Sequence, residues 1–186
     1  VQALLDTGKP VVVVLMNGRP LTISKLTEQV PAIVEGWFLG TETGNAIADV
    51  LLGKYNPSGK LTMSFPRNVG QIPVFYNYRQ SGRPGTDKLT KWTNRFIDSP
   101  VSPLYPFGYG LSYTTFSYSA PRVSQKEFST NEILKVSVDV TNTGQYDGEE
   151  TIQLYIRDVI ASVTRPVKEL KGFKKIFLRK GETLSL

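Results

Sequence analysis

Pro103-Leu104-Tyr105-Pro106-Phe107-Gly108-Tyr109-Gly110-Leu111-Ser112-Tyr113-Thr114-Thr115-Phe116 divides this chain into two regions whose hydrophobic patterns have different periods. The segment holds five aromatics, two prolines and two glycines, with neither helical nor strand periodicity before Leu111. Proline fixes φ and glycine opens positive φ, so the backbone is steered through set bends, and the aromatics supply apolar area to pin it. These features predict an ordered, buried connector.

On the N-terminal side, Val1 to Leu5 reads as the last turn of a helix, with Gly8 as its left-handed cap and Pro10 blocking continuation. Val11 to Met16 is an unbroken apolar run, the pattern of a strand buried on both faces, and Pro31 to Trp37 is a second candidate strand. A short helix is predicted within Leu21 to Gln29. Another runs from Asn45 to Leu52, with Ala46, Ile47, Val50 and Leu51 on one stripe and Gly53 ending it. Asn56-Pro57-Ser58-Gly59 is a turn, and Leu61 to Phe65 completes a strand, helix, strand, helix, strand order that predicts a parallel α/β unit. From Pro66 to Phe107 regular elements vanish, the mark of a functional loop or an inter-domain connection.

On the C-terminal side the period becomes two. Thr115 to Ser124, Ile133 to Val140, Thr151 to Arg157, Glu169 to Leu178 and Thr183 to Leu186 read as strands, parted by turns at Asn142-Thr143-Gly144 and Lys180-Gly181. This spacing predicts an immunoglobulin-like antiparallel sandwich, of which the chain holds fewer strands than the usual seven. The expected fold is therefore α/β followed by an incomplete all-β sandwich, with residues 1–75 as α/β domain, 76–110 as connector and 111–186 as sandwich. Both ends read as cut inside an element.

With no cysteine and no histidine among 186 residues, disulfides, cysteine metal sites, imidazole ligands and histidine-based triads are excluded. Asp, Glu, Lys and Tyr are left for proton transfer, and no metal or cofactor site is expected. No apolar run approaches the roughly 20 residues of a membrane-spanning helix. The lack of cysteine fits an oxidising compartment. A net charge of +6 invites a nucleic-acid reading. Its largest cluster, Arg165 to Lys180, alternates lysines with Phe173, Ile176 and Phe177, which fits strands with one solvated face better than a phosphate-binding surface.

Gly53 to Lys60 imitates a phosphate loop but has five residues between its glycines, Leu61 in place of the magnesium-binding hydroxyl, and a strand where a helix should start. Glycoside hydrolysis needs paired carboxylates. Glu42 lies in a glycine-flanked loop near the carboxyl end of a strand, although a carboxylate favoured by the helix dipole explains it more readily. Glu149 and Glu150 are adjacent in a strand, so only one can face a given side. Trp37, Tyr76, Tyr78, Arg79 and Arg83 offer the aromatic and arginine surface that sugars require, or ordinary interface packing; of these, Trp37, Tyr76 and Arg79 join Glu42 as candidate substrate contacts.

Four motifs in order, Lys9 to Pro20, Gly44 to Gly53, Tyr55 to Leu61 and Pro103 to Phe116, resemble the C-terminal half of glycoside hydrolase family 3, including its periplasmic β-glucosidase type. Met63 to Arg67 and Gly70 to Val74 add to the likeness, and Arg165 to Phe173 resembles the family's fibronectin type III-like domain. Thr43 stands where a second glycine is common, and Thr62 where proline often follows Gly-Lys-Leu. The resemblance implies a periplasmic or secreted enzyme that removes β-glucosyl units from non-reducing ends with retention. It also implies a nucleophilic aspartate in an N-terminal barrel and an acid/base glutamate upstream of Val1. No catalytic residue is then expected here, and this stretch alone is expected to be inactive. Expected partners are a β-linked glucoside and the barrel, with no nucleic acid and no membrane span, and a homodimer left open. The alternative reading is a non-catalytic carbohydrate-binding or adhesive module.

Overall fold

The computed structural model describes residues 1–87, 92–129 and 131–186. Its first part contains α1 (Gln2–Leu5), β1 (Val12–Leu15), α2 (Ser24–Gln29), β2 (Ala32–Glu35) and α3 (Thr43–Leu51). β1 and β2 pair in parallel from Val12↔Ala32 to Leu15↔Glu35, as helix-linked strands do. The expectation that β1 is buried on both faces is corrected: Val12 is exposed and the other three residues are half-buried. The three short helices bury none of their own residues, so they cover the two-stranded sheet thinly.

Leu61 to Phe65 does not form the expected third parallel strand. Its backbone bonds instead to the aromatic segment, with Leu61 N–H donating to Tyr109 O at 2.8 Å, Gly108 N–H to Leu61 O at 2.7 Å and Phe65 N–H to Tyr105 O at 2.8 Å. The only bridge there is antiparallel, Phe65↔Tyr105. Pro106 has no N–H to donate, which keeps the pairing from extending into a ladder. The aromatic segment is ordered but half-buried rather than buried, and Leu111 is exposed.

The second part holds β3 (Phe116–Tyr118), β4 (Arg122–Val123), β5 (Val136–Ser137), β6 (Asp139–Asn142), β7 (Gly148–Ile156), β8 (Glu169–Leu178) and β9 (Thr183–Ser185). The expected strand from Thr115 to Ser124 is broken in two around Pro121, and that from Ile133 begins only at Val136, breaks at Val138 and resumes as a strand of another sheet from Asp139 to Asn142. β3, β6 and β9 form one sheet, β7 and β8 pair antiparallel, and β4 pairs with β5. Val140, Ile176 and Leu178 form the core, with Phe116, Val138, Ile152 and Leu186 packed on it.

Successive β7 residues point to opposite faces. Ile152 packs on the core and Glu150 on the same face reaches Lys60, while Glu149, Thr151 and Gln153 on the other face meet the first part. Tyr55 Oη donates to Glu149, Thr151 Oγ1 to Ser58 O at 2.9 Å, and Gln153 Nε2 to Gly108 O at 3.0 Å. The basic cluster is solvated, as expected: Lys171 and Lys175 are exposed and lie 3.5 Å from Glu169 and 3.6 Å from Glu149.

Candidate functional site at the strand ends

Because β1 and β2 are parallel and in register, Leu15 and Glu35 end them side by side, and Gly36 N–H donates to Leu15 O at 2.8 Å. Open α/β sheets bind ligands outside the carboxyl ends of their strands, and the polar residues that follow β1 and β2 gather there. Asn17 donates its amide to Arg19 O at 2.7 Å, while its Oδ1 is buried with no hydrogen-bond partner among the described residues. Glu35 Oε1 accepts Trp37 N–H at 2.9 Å, and its Oε2 is likewise buried and unpartnered. Burial pushes the Glu35 carboxyl above its ordinary value, opposed by the Trp37 N–H and the Asn17 side chain.

Trp37 holds φ at +51°, a left-handed conformation that a bulky residue adopts only when its surroundings impose it. Its ring lies 5.8 Å from that of buried Phe65. The turn carries the Phe38 ring over Gly18, where a Cβ would meet it and displace the ring. Phe38 is nonetheless 87% exposed. Asn17, Gly18, Arg19, Leu21 and Phe38 line an open cavity of about 350 Å3.

Of the four sequence candidates, Trp37 lies at this site. Glu42 is exposed at the start of α3 and accepts from Asn45 Nδ2 at 2.6 Å. Tyr76 is stacked on Phe107 with centroids 4.1 Å apart and accepts Leu170 N–H at 3.3 Å. Arg79 is exposed and forms a bridge with Pro166. No hydrogen bond, ion pair or ring contact joins any two of the four among the described residues. Tyr78 O accepts Val167 N–H at 2.9 Å, and Arg83 lies over Trp92 at 5.8 Å. Asn17 and Glu35 escaped the sequence reading. The available signal was their position, each a polar residue just past an apolar run with a glycine next.

A parallel α/β segment with polar strand ends is thus bonded to a segment of antiparallel strands. The glycosyl hydrolase family 3 C-terminal domain matches residues 1–113 and a fibronectin type III-like domain matches residues 150–186. The chain belongs to glycoside hydrolase family 3. It is 57% identical over 183 residues to a periplasmic beta-glucosidase of Salmonella typhimurium, covering 98% of this chain and 24% of that protein. It is 51% identical to a beta-xylosidase of Formosa agariphila, with the same coverage of each. The crystal structure of a beta-glucosidase from Listeria innocua in complex with isofagomine superposes with a TM-score of 0.91 at 47% identity, over 98% of this chain and 26% of that one. The chain thus spans about a quarter of the length of the relatives it matches.

Proposed function

We propose that this chain is the C-terminal part of a retaining β-glucosidase, exported to the periplasm or secreted, that releases non-reducing-end glucosyl units. The observation that carries the proposal is the match of two family domains in order along a chain similar over 98% of its length to a periplasmic beta-glucosidase. The nucleophilic aspartate is assigned to a preceding barrel domain of the parent, the chain's principal partner, and the acid/base glutamate to the stretch of the second domain just upstream of Val1. Residues 1–75, 76–110 and 111–186 are taken as α/β domain, joint and sandwich. Trp37 is retained as a contact to sugar, while Glu42 is assigned to its bond with the Asn45 side chain at the start of α3, and Tyr76 and Arg79 to packing and strand pairing.

The test compares the full-length parent with residues 1–186 alone on an aryl β-glucoside. The parent is expected to turn over and the short chain to be silent. Hydrolysis by the short chain that Glu42→Gln abolishes would overturn the proposal. A β-xylosidase is the second reading, favoured by the 51% identity to the Formosa protein. The ratio of kcat/KM for aryl β-glucoside and β-xyloside decides between them.

A further inference from the structure

β7 and β8 share an outer face of which only one strand is covered. Residues directly opposite across an antiparallel pair lie on the same face, and Glu149, Thr151 and Gln153 stand opposite Phe177, Lys175 and Phe173. The β7 row is bonded to Tyr55, Ser58 and Gly108 of the first part. The β8 row continues that face and stays open, with Phe173 74% and Phe177 56% exposed. Between them Lys175 turns its Nζ to Glu149 at 3.6 Å. Tyr55, 43% exposed, reaches the same carboxylate from the first part, so the aromatic surface straddles both parts. At about 200 Å2 per ring, the three exposed fractions leave on the order of 350 Å2, the size of patch that marks a contact rather than scattered apolar residues. The alternate residues Ile176 and Leu178 already lie in the sandwich core, so further strands of the sandwich cannot cover this row.

We propose that Phe173 and Phe177, with Tyr55 beside them, are the docking surface for the part of the parent that precedes Val1. This rests on the reading of the chain as the C-terminal part of a longer enzyme, as it makes up 24% of a relative that it matches over 98% of its own length. The preceding chain has to cover the first part, whose three helices bury none of their residues and which leaves Val12, Leu51 and Leu52 exposed. From there the open β8 row is the next surface, because Tyr55 already bridges to the residue opposite Phe177. A tethered segment acts at an effective concentration of about millimolar, above that of a second copy, so it closes such a patch first. The only charge within the row, Lys175, is balanced by Glu149. The occupant therefore presents apolar side chains at the centre of the contact and polar ones at its rim.

The experiment places photoreactive benzoylphenylalanine at Phe173 or Phe177 of the full-length parent and identifies the cross-linked peptides by mass spectrometry. Irradiation is expected to give a product of monomer mass joined to a peptide preceding Val1, in a yield independent of protein concentration. Cross-links confined to residues 1–186 would overturn the proposal. A product of twice the monomer mass that fades on dilution would assign the surface to a second copy and overturn it equally. Hydroxyl-radical footprinting of the unaltered parent keeps both rings in place. There Phe173 and Phe177 are expected to be labelled about tenfold more slowly in the native parent than in urea, as rings packed at interior density are; equal rates would sink the docking surface. If the parent hydrolyses no β-glucoside yet cross-links to the preceding chain, the function fails while the surface stands. If it hydrolyses the glucoside with both rings freely labelled, the surface fails while the function stands.

Discussion

Lys60 and Glu150 show how much a single buried pair can decide. Lys60 Nζ lies 3.2 Å from Glu150 Oε2 and donates to Gly110 O at 2.9 Å, while Tyr118 Oη donates to Glu150 Oε1 at 2.8 Å. The two side chains are only 14% and 10% exposed. Burial and the neighbouring carboxylate both push the Tyr118 phenol far above its ordinary value, so it stays a donor. Lys60→Met would leave the carboxylate buried without its cation, and is expected to cost about 3 kcal/mol in chemical denaturation. Adding Glu150→Leu should recover much of that loss, because the stranded charge goes with it. Glu35 behaves oppositely. Its carboxyl is raised from 4.5, so the stability linked to its protonation is present below that pH and lost as pH rises through the raised value. Glu35→Gln carries no proton to lose, and its melting temperature should fall less than the wild type's across that window.

Among the elements, β4, β6 and β9 meet at one carboxylate. Asp139 on β6 accepts both guanidinium nitrogens of Arg122 on β4, at 2.6 and 2.8 Å, and the hydroxyl of Ser185 on β9. These bonds, Arg122 first, hold its pKa at about 2. A depressed carboxylate stabilises above its ordinary value of 3.8, and that contribution drains away as pH falls toward about 2. Asp139→Asn should lower the melting temperature at neutral pH and remove this part of the acid-side decline. Such a node was invisible in the sequence, because three separated strands supply it. β1, β2, β7 and β8 were legible because their periodicity is local and strong. Leu61 to Phe65 misled because an apolar run looks the same whether it joins a parallel sheet or pairs with an irregular segment. The parallel order placed the strand ends correctly. Which side chains there keep a free oxygen depended on bonds to backbone that only the folded turns create.

Across the molecule, the two parts are joined by more than the chain itself. Tyr55, Ser58 and Gly108 bond to Glu149, Thr151 and Gln153, and Tyr76 packs between the rings of Phe107 and Tyr155. Lys60 and Glu150 add an ion pair shielded from water. Cooperativity follows when an interface is worth as much as the internal stability of the parts it joins, so residues 1–186 should melt in one calorimetric transition if they fold alone. Gly108 is the sensitive point. Its φ is +81°, and a Cβ there would collide with Gln153 Oε1 and approach Tyr155 Oη at 2.7 Å. An alanine in left-handed backbone costs about 1–2 kcal/mol on its own, and the collision additionally displaces two interface side chains. Gly108→Ala is therefore expected to split the melt, with the sandwich core of Val140, Ile176 and Leu178 giving its own transition. Ser119→Ala, far along β3's exit and with Ser119 Oγ accepting only from Asp139 N–H within the sandwich, should shift the midpoint slightly and leave the transition single. If Gly108→Ala also melts in one step, Gly108 does not control the joint, and the bonds of Tyr55 to Glu149, Thr151 to Ser58 and Lys60 to Glu150 suffice to couple the parts.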